Sequence, residues 1–152
     1  MTERVDFYVL KSAAAKQRWL FACRLTEKAY LRDLRIVIIN QTLADAKELD
    51  ELLWTFNERS FIPHQICLDG ESLDLATPVQ LALQSTATPA ADLLVNLAHG
   101  LPAQLPQYPR IAEIIDADEE RRRLGRERFK AYRDLKLVLE THQIDEVAGA
   151  NG

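Results

Sequence analysis

The sequence predicts an α/β fold built on a parallel central sheet, and three observations carry that prediction. Two runs of strand length, Val5–Leu10 and Arg35–Ile39, alternate with two stretches that favour helix. That order is the signature of parallel strands joined by helical crossovers. After Arg35 the second run is continuously apolar rather than alternating, as expected of a strand covered on both faces. The chain has 152 residues, of which 47% are hydrophobic and 28% charged. That is one domain's length, enough to hide roughly 70% of the unfolded surface.

Val5-Asp6-Phe7-Tyr8-Val9-Leu10 is β-branched and aromatic and reads as the first strand. From about Ala13 to Leu31 there is no Gly or Pro, and Ala, Leu, Lys, Arg and Glu dominate, which predicts a helix. After the Arg35–Ile39 strand, Thr42 is placed to cap a second helix reaching about Trp54, with Ala46, Leu49 and Leu53 on its inner side. Thr55–Ser72 reads as loop around Pro63, with a short strand at Gln65–Cys67. Asp92 is the one Asp, Glu, Lys or Arg between Leu75 and Pro109. In that neutral stretch Val79–Leu83 and Leu93–Leu97 read as buried strands, and Asp92 as a residue that opens or caps a strand rather than a catalyst. Pro102, Pro106 and Pro109 mark an irregular connection, and Arg110–Ile115 reads as a further strand or the start of a helix. Asp116 to about Leu139 is the strongest helical stretch, broken only by Gly125. Residues 1–145 thus read as one domain, and 146–152 as a frayed, disordered tail.

Several functions are excluded or left without support. The five glycines cannot be arranged as G-x-G-x-x-G or G-x-x-x-x-G-K-[ST], so neither phosphate-cradling loop is present. Cys23 and Cys67 cannot build a disulfide framework or a four-thiolate zinc site. His64, His99 and His142 stand at no metal-ligand spacing, so no metal or cofactor is expected. The N-terminus lacks a signal-peptide apolar core, and no apolar run reaches membrane-spanning length. The expectation is a soluble cytoplasmic protein with no membrane partner. Cys23, among Phe21, Ala22 and Leu25, reads as a buried small hydrophobe. Cys67 three residues after His64 is a faint nucleophile–base pairing for a small α/β enzyme.

Two clusters remain as candidate sites. Eight of the nine Lys and Arg residues beyond position 76 lie between Arg121 and Lys136, where Glu127 and Asp134 are the only acids. At 100° per residue, Arg122, Arg126, Phe129 and Arg133 fall within about 60° of one another, with Lys130 at the margin. Leu124, Ala131 and Leu135 form the opposite side and are expected to dock on the sheet. The cationic side suits an acidic peptide with an apolar end, or a nucleic-acid strand. It equally suits a solvated face whose arginines pair with Asp116, Asp118, Glu119 and Glu120. A net charge of −4 stands against a uniformly basic nucleic-acid binder. The second cluster is Trp54, Phe56 and Phe61 around a polar loop ending in Pro63-His64, which reads as core plug or as interface anchor.

Three motifs, taken together, resemble the chi subunit family of bacterial DNA polymerase III. Phe7-Tyr8-Val9-Leu10 matches that family's opening strand. Leu53–His64 is similar to its L-W-x(6)-S-F-[VI]-P-H segment, and Arg126–Arg133 to its R-E-R-[YF]-K-x-Y motif. Gly70–Pro109 matches in character alone. The resemblance implies a three-layer α/β/α fold, Rossmann-like without nucleotide-binding loops. It also implies a non-catalytic accessory subunit of the polymerase, which joins the clamp loader to single-stranded DNA-binding protein by gripping that protein's acidic, Phe-terminated tail. Carried over by position, Arg126 and Lys130 would bind the carboxylates and Phe129 would line the pocket, with Arg122 and Arg133 beside them. Trp54, Phe61, Pro63 and His64 would face the psi subunit or a repair helicase, and DNA would be reached indirectly. The family often has Tyr where Phe129 stands, and the stretch Ala117–Gly125 is shorter and more charged than its counterpart. The alternative function is direct binding of single-stranded nucleic acid by the C-terminal basic helix.

Overall fold

Short apolar runs bury best when their backbone groups pair with one another and helices cover both faces, and this chain does both. The computed structural model describes residues 2–67, 77–84, 91–102 and 108–145. In chain order these form β1 (Arg4–Leu10), α1 (Ala15–Tyr30), β2 (Ile36–Asn40), α2 (Leu43–Thr55), β3 (His64–Ile66), β4 (Val79–Leu83), β5 (Leu93–Asn96), β6 (Arg110–Ile115), α3 (Glu119–Asp134) and β7 (Val138–Ile144). All seven strands join one sheet in the order β3-β4-β2-β5-β6-β1-β7, and every pairing is parallel.

Alternate residues of each strand point to opposite faces, and the two faces carry different helices. Ile36, Ile38, Leu81, Val95 and Ile114 pack with Leu20 and Cys23 of α1 and Leu49 and Leu53 of α2. Val37, Ile39, Leu94, Ile111 and Ile115 belong to the other face, with Tyr132 of α3. The result is the three-layer α/β/α architecture.

Val5–Leu10, Arg35–Ile39 and Leu93–Leu97, short apolar runs that the sequence predicts as neighbours in one sheet, share the sheet but are not all adjacent. β2 lies beside β5, whereas β1 is separated from them by β6 and pairs with β6 and β7. Chain order brings β1 and β2 together on paper; the later strands β5 and β6 insert between them, and no local signal encodes that. The C-terminal helix also ends earlier than expected. It runs uninterrupted through Gly125 but stops at Asp134, and Lys136 takes a left-handed backbone with φ of 61°. The chain then turns into β7, an edge strand that begins within the residues, to about Leu139, that the sequence predicts as helix. Residues 146–152, read as a tail, lie outside the described residues.

Local chemistry accounts for the helix and strand starts. Thr42 caps α2, its hydroxyl accepting the Asp45 backbone N–H at 3.1 Å. Thr42→Ala should therefore lower stability by about 1 kcal/mol, visible as a drop of roughly 2–4 °C in Tm. Asp118 caps α3 through the Arg121 N–H at 2.9 Å. Asp92 opens β5 as expected, its carboxylate accepting the Arg35 backbone N–H at 2.8 Å.

Candidate functional site

Helix α3 does not dock with the residues its hydropathy marks. Leu135 is 53% exposed, while Gly125, Arg128 and Tyr132 are the helix's buried positions. The expected docking side of Leu124, Ala131 and Leu135 is corrected accordingly. Two features explain it. A Cβ at Gly125 would come within 2.5 Å of Ile115 Cδ1, so the glycine lets the helix settle closely on β6. The second feature is a buried acid. Glu113, fully buried on β6, accepts from Arg128 Nε at 3.0 Å, from the Tyr132 hydroxyl at 2.7 Å and from Asn96 Nδ2 at 2.9 Å. Arg128 also donates to the His99 carbonyl at 2.7 Å. Burial, with the Glu113 charge beside it, pushes the Tyr132 phenol far above its ordinary range, so it remains a hydrogen-bond donor.

A similar arrangement holds the α1 side. Arg18 is buried, donating from Nε to the Ile114 carbonyl at 2.8 Å, and burial lowers its pKa to about 10, which leaves it charged at neutral pH. Sequence reading missed both the Glu113 network and Arg18. The one signal available was Glu113 itself, a lone acid in phase with Ile111 and Ile115 in the strand Arg110–Ile115.

With those groups committed, the remaining cations of α3 sort themselves. Arg121 pairs with Asp116 at 2.7 Å, and Arg123 with Glu120 and Glu127. Among the described residues, the side chains of Arg122, Arg126, Lys130 and Arg133 make no ion pair or hydrogen bond. These are the residues of the cationic side identified from spacing. Phe129 sits at the seam between that side and the buried one, half-buried, its ring edge-on to Phe7 at 5.1 Å. The structure thus brings a free cationic row and a fixed aromatic edge onto one surface.

The aromatic cluster divides. Phe56 is core at 3% exposure, whereas Trp54 and Phe61 stand 45% and 68% exposed with ring centroids 5.4 Å apart. Both are at the β3 edge of the sheet, with Pro63 half-buried beside them. His64 is buried under Trp54, 4.2 Å between ring centroids. Its Nδ1 and Nε2 face the carbonyl oxygens of Ile62 and Asp50 at 2.7 and 3.1 Å. Among the described residues the hydrogen bonds of the ring go to these oxygens and none to Cys67, so the two do not form a nucleophile–base pair here. Cys23 is fully buried as expected, and burial pushes its thiol up to about 12, so it stays protonated and inert.

Among the described residues, Asp6, Glu140 and His142 bring ligand atoms within 4.8 Å of one another. The Asp6 carboxylate, however, already accepts from Arg4 at 3.2 Å, Arg110 at 3.0 Å and His142 at 2.9 Å. No helix among the described residues is long and apolar enough to cross a membrane.

A seven-stranded parallel sheet with helices on both faces, and no glycine phosphate loop in the sequence, defines a Rossmann-like α/β domain, with one cationic side of α3 left open among the described residues. Solved structures share that fold: T4 UvsW superposes with a TM-score of 0.64 at 12% identity over 93% of this chain and 42% of that one. Mss116p DEAD-box helicase domain 2 gives a TM-score of 0.58 at 12% identity over 93% and 65%. The family description "DNA polymerase III chi subunit, HolC" matches residues 1–140. The DNA polymerase III subunit chi of Pseudomonas aeruginosa is 34% identical over 95% of this chain and 99% of its own length. That of Haemophilus influenzae is 28% identical over the same shares, and that of Escherichia coli 27% over 78% and 80%. The chain belongs to the DNA polymerase III chi subunit family, an accessory subunit of the polymerase in DNA replication.

Proposed function

We propose that this chi subunit links the clamp loader to single-stranded DNA-binding protein by holding its acidic C-terminal tail on the free side of α3. The observation that carries the reading is the sorting of charge on that helix. Arg121, Arg123 and Arg128 are paired, while Arg122, Arg126, Lys130 and Arg133 stand open beside the edge of Phe129. Unpaired guanidinium and ammonium groups on one side of a helix offer charge-assisted hydrogen bonds to carboxylates. The half-buried aromatic next to them offers contact for an apolar terminal residue. In this reading the chain has no catalysis of its own and works in the cytoplasm at the replisome. Titration of the tail peptide against the full chain tests it, with Arg126→Ala/Lys130→Ala as the comparison.

The exposed Trp54–Phe61 pair is the second contact in this reading, taking the psi subunit or a repair helicase. Large aromatics held rigidly and left exposed are the usual anchors of such interfaces. Phe61→Ala should weaken psi or helicase binding by roughly 10-fold or more, since anchor truncations commonly cost above 1–2 kcal/mol. At 68% exposure the same change should leave Tm nearly unchanged. A large fall in Tm would mean that Phe61 supports the core instead.

A further inference from the structure

On the opposite side of the sheet from α3, α1 and the opening ends of β1, β5 and β6 enclose a cleft of about 560 Å³, a volume in the range of small-ligand sites. Two rows of cations flank it. Arg24 and Lys28 of α1 and Arg32 in the turn just beyond it line one wall; Arg24 and Lys28, four residues apart, lie about 6 Å apart along one side of the helix. Arg4 and Arg110, directly paired across neighbouring strands, line the other. The floor between them is apolar, made by Phe21, Leu25, Leu93, Ala112 and Ile144. Asp6 and Asp92 are the two acids of the lining; Asp92 accepts from the Arg35 backbone, and Asp6 pairs with Arg4 and Arg110, Arg4 reaching Glu140 as well, so the charge of that wall is partly offset and Lys28 and Arg32 carry the open charge. Lys28 and Arg32 are exposed, and among the described residues their side chains make no ion pair or hydrogen bond.

A cleft of this charge on a chain of net charge −4 selects an anion. Two cation rows beside an apolar floor fit a ligand with a negatively charged backbone and a flat apolar group, which is the composition of a nucleotide. Proteins that hold single strands without reading sequence combine these same two parts. We propose that the α1 cleft binds a nucleotide unit of single-stranded DNA, phosphate against Lys28 and Arg32 and base against the floor. The site is independent of the α3 surface and lies on the other face of the sheet, so a strand and a protein tail can be held at once.

Fluorescence anisotropy of the full chain with a labelled oligothymidylate over a salt series tests this, with dTMP as competitor. The wild type should bind, more weakly as salt rises. Lys28→Glu/Arg32→Glu, two exposed positions, should weaken binding at least about 10-fold and reduce the salt slope by about two. Arg126→Ala/Lys130→Ala should leave it unaltered. Displacement of the label by dTMP assigns the cleft to a single nucleotide, and failure of dTMP to compete while the charge reversal abolishes binding assigns it to the strand. Absence of binding by the wild type, or loss through the α3 variant in place of the α1 variant, overturns the proposal. So does a charge reversal that weakens an acidic peptide and spares the oligonucleotide.

Discussion

Substituting Arg126 and Lys130 together by Ala should weaken binding of the single-stranded DNA-binding protein tail by roughly 10- to 1,000-fold. The two residues are one helical turn apart, so both cations reach one short peptide. Each charge-assisted contact to a carboxylate contributes on the order of 1.5–3 kcal/mol, less where water screens it, and 1.4 kcal/mol is tenfold. Both side chains are exposed and unpaired among the described residues, so the fold has nothing to lose and Tm should hold. Raising salt on the wild type should weaken the same interaction by screening. Peptide titration by calorimetry decides the matter. An unchanged affinity would move the tail site elsewhere and leave this side of α3 as solvated surface.

Glu113→Ala should be the most damaging single change to the fold. It removes the acceptor of Arg128, Tyr132 and Asn96 at one stroke. It also strands a guanidinium whose side chain is only 5% exposed. Breaking a buried ion pair from one side costs about 3–5 kcal/mol, which for a chain of this size lowers Tm by roughly 6–20 °C. Glu113→Gln keeps one acceptor oxygen and should lose less. Thermal melts of the two variants check the ordering; equal and small losses would show that Arg128 and Tyr132 find other partners. Because these two residues fix the rotation of α3 about its axis, the Ala variant should also weaken tail binding without touching the cationic row.

How far the sequence was legible depends on what each element needed. β2 could be read because its burial on both faces leaves a continuous apolar run, and α2 because Thr42 and the spacing of Ala46, Leu49 and Leu53 are local signals. The cationic row of α3 was legible for the same reason: residues on one side of a helix are fixed by their spacing alone. The docking side of that helix was not. It uses Gly125, Arg128 and Tyr132, and an arginine counts as buried only once its acid is known to lie 15 residues earlier on a neighbouring strand. β7 was missed because its exposures alternate weakly along an edge, with no apolar run to announce it. Whether Trp54 and Phe61 face solvent or core could not be read from spacing, since it depends on β3 being the last strand of the sheet.

The place of β1 between β6 and β7 has a bearing on how the chain reaches this state. Its two neighbours in the sheet pair Arg4 with Arg110 and with Val138, so its first strand waits for its last two. Synthesis proceeds at about 5–20 residues per second. The first strand to leave the ribosome therefore spends many seconds with Val5, Phe7 and Leu10 unsheltered, and completes its pairing only when the C-terminus is free. Contacts so distant along the chain slow folding and lengthen the exposure of apolar edges. The strand that takes both of its partners from the C-terminal end is thus also the one for which the growing chain needs protection longest.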